Sequence, residues 1–205
     1  MKPENQPSDT ELVQSMLAGD EQALAALYQR LQQNIYRFAF QMSGSASVAE
    51  DVTQDVFMLL IREGQSFDPE RGSLRSFLLG VARNYVLRRL RRERFYVAME
   101  EDVGDAVTDR AESSAAGPLD ELSRTETIVS VRKAVLLLPE KYREALVLCD
   151  LEELSYAEAA EVLGCAVGTV RSRLHRGRGL LLEKLKPARE DETVAAPTKS
   201  ARCFA

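Results

Sequence analysis

Residues 154–178 run LSYAEAAEVLGCAVGTVRSRLHRGR, and this stretch decides how the chain is read. Ser155 and Glu158 stand three apart in a capping-box pattern, which predicts a helix start. Ala159, Val162 and Leu163 give that helix one apolar stripe. Gly164 supplies a left-handed stop. A second helix follows with Val167, Val170 and Leu174 on its inner face. Its outer face then carries Thr169, Arg171, Ser172, His175 and Arg176, groups able to donate to base edges and phosphates in a major groove. The small Ala160 and Gly164 let the two helices approach closely at the turn. The pattern is a helix-turn-helix ending in a DNA-reading helix; the competing reading is a plain helical hairpin with a solvated basic face.

Outward from this segment, composition keeps to one theme. The chain has 205 residues, 45% of them hydrophobic and 29% charged, enough to bury a core in one or two domains. It has no Trp, only 6% aromatic residues, and much Leu, Ala, Glu and Arg. These favour helix. The expected fold is all-α: two small helical domains joined by a flexible acidic linker. No apolar run nears the ~20 residues of a membrane span, and the polar N-terminus carries no secretory signal. Cys149, Cys165 and Cys203 are odd in number and lack metal-ligand spacing, as suits a reducing, cytoplasmic setting. His175 is the only His and lies among arginines. No catalytic constellation, phosphate loop, metal set or cofactor motif can be assembled, so the chain is expected not to be an enzyme and to need no metal or cofactor.

The formal charge of −5 looks wrong for a DNA binder until it is resolved along the chain. Residues 83–94 hold six arginines and one acid, and 171–178 hold four arginines and no acid. Residues 100–126 set nine acids against Arg110 and Arg124, a net of −7. Screening confines phosphate attraction to roughly 8–10 Å at physiological salt, so two local basic patches suffice despite overall acidity.

The chain divides accordingly. Residues 1–8 form a loose tail and 9–96 a first helical domain. In that domain Asp9 and Asp20 are candidate caps, Ser43-Gly44-Ser45 is a break, and Ala49–Ile61 is a helix with Glu50, Asp51, Gln54 and Asp55 outward. Phe67–Gly72 is a turn-rich loop, and Ser73 caps a helix with stripe Leu74, Phe77, Leu78, Val81 and Tyr85. Phe57, Phe77 and Tyr85 are expected in the core. Residues 97–123 are the acidic connector, 124–186 a second helical domain with Pro139 in the first turn of a helix, and 187–205 a disordered tail.

Three segments together resemble bacterial sigma factors of the extracytoplasmic-function type, small relatives in the sigma-70 family with only domains two and four. Residues 49–57, AEDVTQDVF, are similar to the acidic helix that docks on the polymerase clamp. Residues 72–84, GSLRSFLLGVARN, are similar to the helix that melts and reads the −10 element. Residues 138–146, LPEKYREAL, with the helix-turn-helix behind them, are similar to the −35 reader. Phe77 stands where the family usually has Trp, Arg88 where many members have Asp, and Cys165-Ala166 replaces small polar or Pro residues before the reading helix.

The resemblance implies a factor that binds core RNA polymerase, directs it to promoter DNA and helps open it, with an anti-sigma factor as a further partner. Asp51, Gln54 and Asp55 would meet polymerase. Arg83, Arg88, Arg89, Arg91 and Arg92 would track the phosphates of the separated −10 strand, Asn84 would pair with an exposed base edge, and the 67–73 loop would wall the pocket. Thr169, Arg171, Ser172, His175 and Arg176 would read the −35 element. An autonomous DNA-binding regulator would share the second half. Its first half, however, would need a ligand pocket, a phosphoacceptor or a dimer helix, in place of this acidic helix and arginine-rich helix.

Overall fold

A computed structural model describes residues 7–100 and 119–186, and every regular element among them is a helix. The sequence-read tails and most of the connector, with Cys203, lie outside the described residues.

Helix α1 (Asp9–Leu17) is capped by Ser8 rather than Asp9, because Ser8 and Glu11 exchange both bonds of a capping box. Asp20 caps α2 (Glu21–Ser43) by accepting from the backbone of Gln22 and Ala23. Gly44 ends α2 in the left-handed region at φ +74°. The Ser43–Ser45 break is therefore very short: Ser45 already caps α3 (Ala46–Glu63), three residues earlier than the apolar stripe announces. A short 3-10 turn (Gly64–Ser66) and the 67–73 loop lead to α4 (Leu74–Glu100). At its start the Ser73 hydroxyl accepts from Ser76 N at 3.2 Å. Leu27, Ile35, Phe38, Met42, Val52, Val56, Leu60, Leu78, Leu79 and Val86 interlock α2, α3 and α4 at nearly zero exposure. Burying each such side chain contributes ~1.5–3 kcal/mol.

Helix α5 (Leu119–Leu136) opens the second half, so α4 and α5 both extend into the stretch read as connector. Pro139 is the N-cap of α6 (Glu140–Leu146) rather than a residue of its first turn. A π-turn (Val147–Leu151) continues α6. Then come α7 (Tyr156–Leu163), with the Ser155–Glu158 capping box, and α8 (Val167–Leu185), beyond the Gly164 left-handed stop. Ala166 caps α8 with no side-chain hydrogen bond. Leu148, Leu154, Ala159, Leu163, Val170 and Leu174 fill the space between α6, α7 and α8.

The two halves are not separate bodies. Their buried side chains join one apolar cluster. Leu136 of α5 lies where a Cβ on Gly44 would be, at 2.8 Å. Arg143 donates to the Met42 carbonyl at 2.7 Å, and the Arg132 guanidinium stacks on the Phe40 ring at 4.7 Å.

Candidate nucleic-acid interface

On α8 the apolar spacing fixes which side is free. Val170, Leu174 and Gly177 are buried, which leaves Arg171, Ser172, His175 and Arg176 exposed and Thr169 half-buried on the outer face. All five residues assigned from sequence therefore share one surface. Ser172 spends its hydroxyl proton on the Thr169 carbonyl at 3.0 Å, so toward a base it is an acceptor. Two groups that sequence periodicity could not find flank this face. The Arg171 guanidinium sits 5.7 Å from the centre of the Tyr156 ring. Tyr142, from α6, hydrogen-bonds Arg176, and that bond holds its phenol below the ordinary range. Both arginines are thus braced from a neighbouring helix. Arg178 is diverted: it donates to Asp150 at 2.6 and 2.9 Å, and those bonds raise its pKa.

On α4, Asn84, Arg88, Arg91 and Arg92 are exposed. Their spacing of four, three and one puts them on one flank of the helix. The other two arginines of the sequence-based set are placed differently. Arg83 is mostly covered, and its Nε donates to the buried Glu144 at 2.8 Å. Arg89 donates to Asp51 at 2.6 Å and Asp55 at 2.8 Å. Burial pulls the Arg89 guanidinium down, but the bonds to Asp51 and Asp55 outweigh it and leave the pKa raised. Asp51, Gln54 and Asp55 lie on the outer side of α3, with both carboxylates already sharing one cation and Gln54 open.

The 67–73 loop stands at the head of α4. Glu70 N donates to Asp68 Oδ1 at 3.0 Å and Arg71 N to the Asp68 carbonyl at 3.1 Å, the turn expected of Asp68-Pro69. The Phe67 and Phe77 rings meet at 5.8 Å and, with Tyr85, pack half-buried against the core; Phe57 is fully inside. Cys149 and Cys165 are half-buried, and burial pushes the Cys149 thiol up to about 11. Among the described residues no group of His, Cys, Asp and Glu could hold a metal ion, and no helix is long and apolar enough to cross a membrane.

Two family models match the chain: Sigma-70 region 2 over residues 27–96 and Sigma-70 region 4 over residues 128–181. The chain is 33% identical over 188 residues to the ECF RNA polymerase sigma factor SigE of Mycolicibacterium smegmatis, covering 90% of this chain and 70% of that one. It is 31% identical over 178 residues to SigW of Bacillus subtilis, covering 85% and 95%. Among solved structures it is similar to the sigma factor RpoE in complex with the anti-sigma factor NepR from Bartonella quintana. That match has a TM-score of 0.65 and 28% identity, covering 80% of this chain and 98% of that one.

Proposed function

The chain belongs to the sigma-70 family, to its extracytoplasmic-function type, and from that premise we propose that it binds core RNA polymerase, carries it to −35 and −10 promoter elements and helps open the DNA. It does so as an initiation factor in the cytoplasm, with no catalytic step of its own. The carrying observation is the outer face of α8, where Thr169, Arg171, Ser172, His175 and Arg176 share one surface and all but the half-buried Thr169 are exposed. In this reading they enter the major groove at the −35 element. A bidentate arginine–guanine contact there discriminates by ~1–3 kcal/mol. Tyr142 and Tyr156 limit the rotamers of Arg176 and Arg171, so less entropy is lost on docking.

Strand separation is assigned to α4 and the 67–73 loop. Unstacking a base costs a few kcal/mol, and a positive track beside a base-accepting pocket offsets it. Arg88, Arg91 and Arg92 provide the track, with Arg83 once it is released. Asn84 offers its amide to a base edge. Asp51, Gln54 and Asp55 face polymerase, with Arg89 orienting the two carboxylates rather than touching DNA. An anti-sigma factor is a further partner, in line with the anti-sigma complex of the structural relative RpoE. Run-off transcription tests the whole reading: core polymerase plus this chain should yield discrete transcripts from genomic fragments that core alone does not. Identical products with and without the chain would refute it.

A further inference from the structure

We propose that Asp150 is a positioning residue that withholds Arg178 from the DNA phosphates, so that duplex binding by α8 depends on the residues that face the bases. This rests on the reading of α8 as the −35 helix. The residues of that reading fall between Thr169 and Arg176. Arg178 stands seven positions after Arg171, two turns on, at the edge of the same face. A reading helix meets bases through its N-terminal residues, so the turn that follows lies against the sugar-phosphate wall of the groove. Contacts to that wall position a protein without reading sequence. By place alone, Arg178 is a phosphate contact.

Its partners take it elsewhere. Arg178 Nε donates to one Asp150 oxygen at 2.9 Å and a terminal nitrogen to the other at 2.6 Å, the two-pronged grip that a guanidinium uses on phosphate. The Tyr156 hydroxyl makes a further hydrogen bond to Arg178. The Arg178 side chain is 52% exposed, so burial does not keep it from DNA; the carboxylate does. Counterion release follows the charge brought to the phosphates, and a closed ion pair brings none. The two base-facing arginines are held differently. Arg171 rests 5.7 Å from the centre of the Tyr156 ring, and Arg176 bonds the Tyr142 phenol. These neutral groups fix direction and leave the positive charge in place.

The π-turn sets Asp150 in reach. Val147 and Leu148 anchor that turn in the core, and Asp150 stands at its surface, where it meets a partner 28 residues further along the chain. A surface ion pair contributes little to stability, so its loss is read in DNA binding more than in folding. The consequence is a duplex affinity below what the arginines of α8 could give. An initiation factor gains from that restraint, because polymerase must leave the promoter it has opened.

Core polymerase is loaded with full-length wild type, Asp150→Asn, Asp150→Glu, Arg178→Gln or the double variant of Asp150→Asn with Arg178→Gln, each checked for native far-UV circular dichroism. Anisotropy then gives the affinity for a run-off-identified promoter duplex, and for the same duplex with its −35 element scrambled, across a salt series. Asp150→Asn should steepen the salt slope by about 0.9 on both duplexes, a gain of about fivefold at ~0.15 M salt that fades toward ~1 M. The preference between the two duplexes should not move, because a phosphate contact carries no sequence. Asp150→Glu can still pair and should keep the wild-type slope. Arg178→Gln and the double variant should keep it too. An unmoved slope in Asp150→Asn would overturn the proposal. A slope shallower by about 0.9 in Arg178→Gln would also overturn it, by showing the arginine already on phosphate. Steepening that persists in the double variant would assign the effect to the acid alone and overturn it as well. The two single variants report independently, so misfolding of one leaves the other decisive. Arg171→Ala separates the premise from the proposal. If it leaves the preference for the intact −35 element untouched, the reading of α8 fails; if it lowers that preference while Asp150→Asn moves no slope, only the role of Asp150 falls.

Discussion

Two glycines of α8 should respond to alanine with opposite signs. In a helix interior Gly→Ala gains ~0.5–1 kcal/mol through backbone entropy. At Gly179 nothing lies within 4 Å of an added Cβ, so Gly179→Ala should stabilise the second domain by about that amount, ~0.5–1 kcal/mol. At Gly177 the added Cβ would stand 3.3 Å from the Tyr142 carbonyl oxygen, 3.4 Å from its Cβ and 3.8 Å from its carbonyl carbon. Two of those atoms are α6 main chain and cannot rotate aside. Overpacking of a tight helix crossing costs ~1–3 kcal/mol, which outweighs the propensity gain and leaves Gly177→Ala destabilised by ~1 kcal/mol. The same displacement would move α8 from α6 and loosen the bond between Arg176 and Tyr142, so −35 duplex binding should weaken in Gly177→Ala and hold in Gly179→Ala. Urea titration followed at 222 nm and anisotropy with a −35 duplex taken from a run-off-identified promoter measure both. Equal stabilisation by the two alanines would refute the reasoning.

Arg171→Ala or Arg176→Ala should cost ~1–3 kcal/mol of −35 binding with relaxed preference at one or two positions. A uniform loss with a shallower salt slope would reassign the residue to phosphate, and no change in either would displace the recognition face. Reversing Asp51 and Asp55 to Lys should weaken assembly with core polymerase, measured by titration, while stability moves by only ~1 kcal/mol because both carboxylates are exposed, although the Arg89 they share is mostly covered; unaltered core affinity would remove that surface. Bonds from Ser155, with smaller help from Ser76 and Ser73, hold the Glu158 carboxyl below its ordinary 4.5. A depressed carboxyl contributes stability above its unfolded pKa and loses it as pH falls through the lower folded value. The stability advantage of wild type over Glu158→Gln should therefore be full at pH 7 and shrink below about pH 4.5, and a pH-independent difference in urea midpoints would contradict the bond set.

The second domain was legible because its signals are local. The Ser155–Glu158 box, the Gly164 stop and the Val167, Val170, Leu174 spacing all lie within one helical pair, and each is a short-range rule of backbone geometry. Boundaries were less legible where a polar residue beside the assigned cap did the work. Ser8 displaced Asp9 because only Ser8 has Glu11 three positions on to complete the box. Ser45 started α3 ahead of the apolar stripe because capping depends on backbone conformation, not on burial. Tyr142 and Tyr156 escaped notice as supports of α8 because nothing in a helix's own period announces what a neighbouring helix lays beside it.

The arginine-rich helix shows the deeper reason. Sequence counts its arginines as one basic patch, yet their partners arrive from far along the chain: Arg83 meets Glu144 at a separation of 61 residues, and Arg89 meets Asp51 and Asp55 at 38 and 34. Charge that looks additive in one dimension is divided in three. Part faces solvent (Arg88, Arg91, Arg92), part orients the acidic helix (Arg89), and part is lent to the second domain (Arg83, with Arg75 beside it). Each cation that meets a single-strand phosphate steepens the salt dependence of binding by ~0.7. The three open arginines, Arg88, Arg91 and Arg92, should thus together set a slope of about 2 for single-strand binding. How many of these cations stand open is set by acids that arrive from far along the chain, a property of the fold that no count of arginines contains.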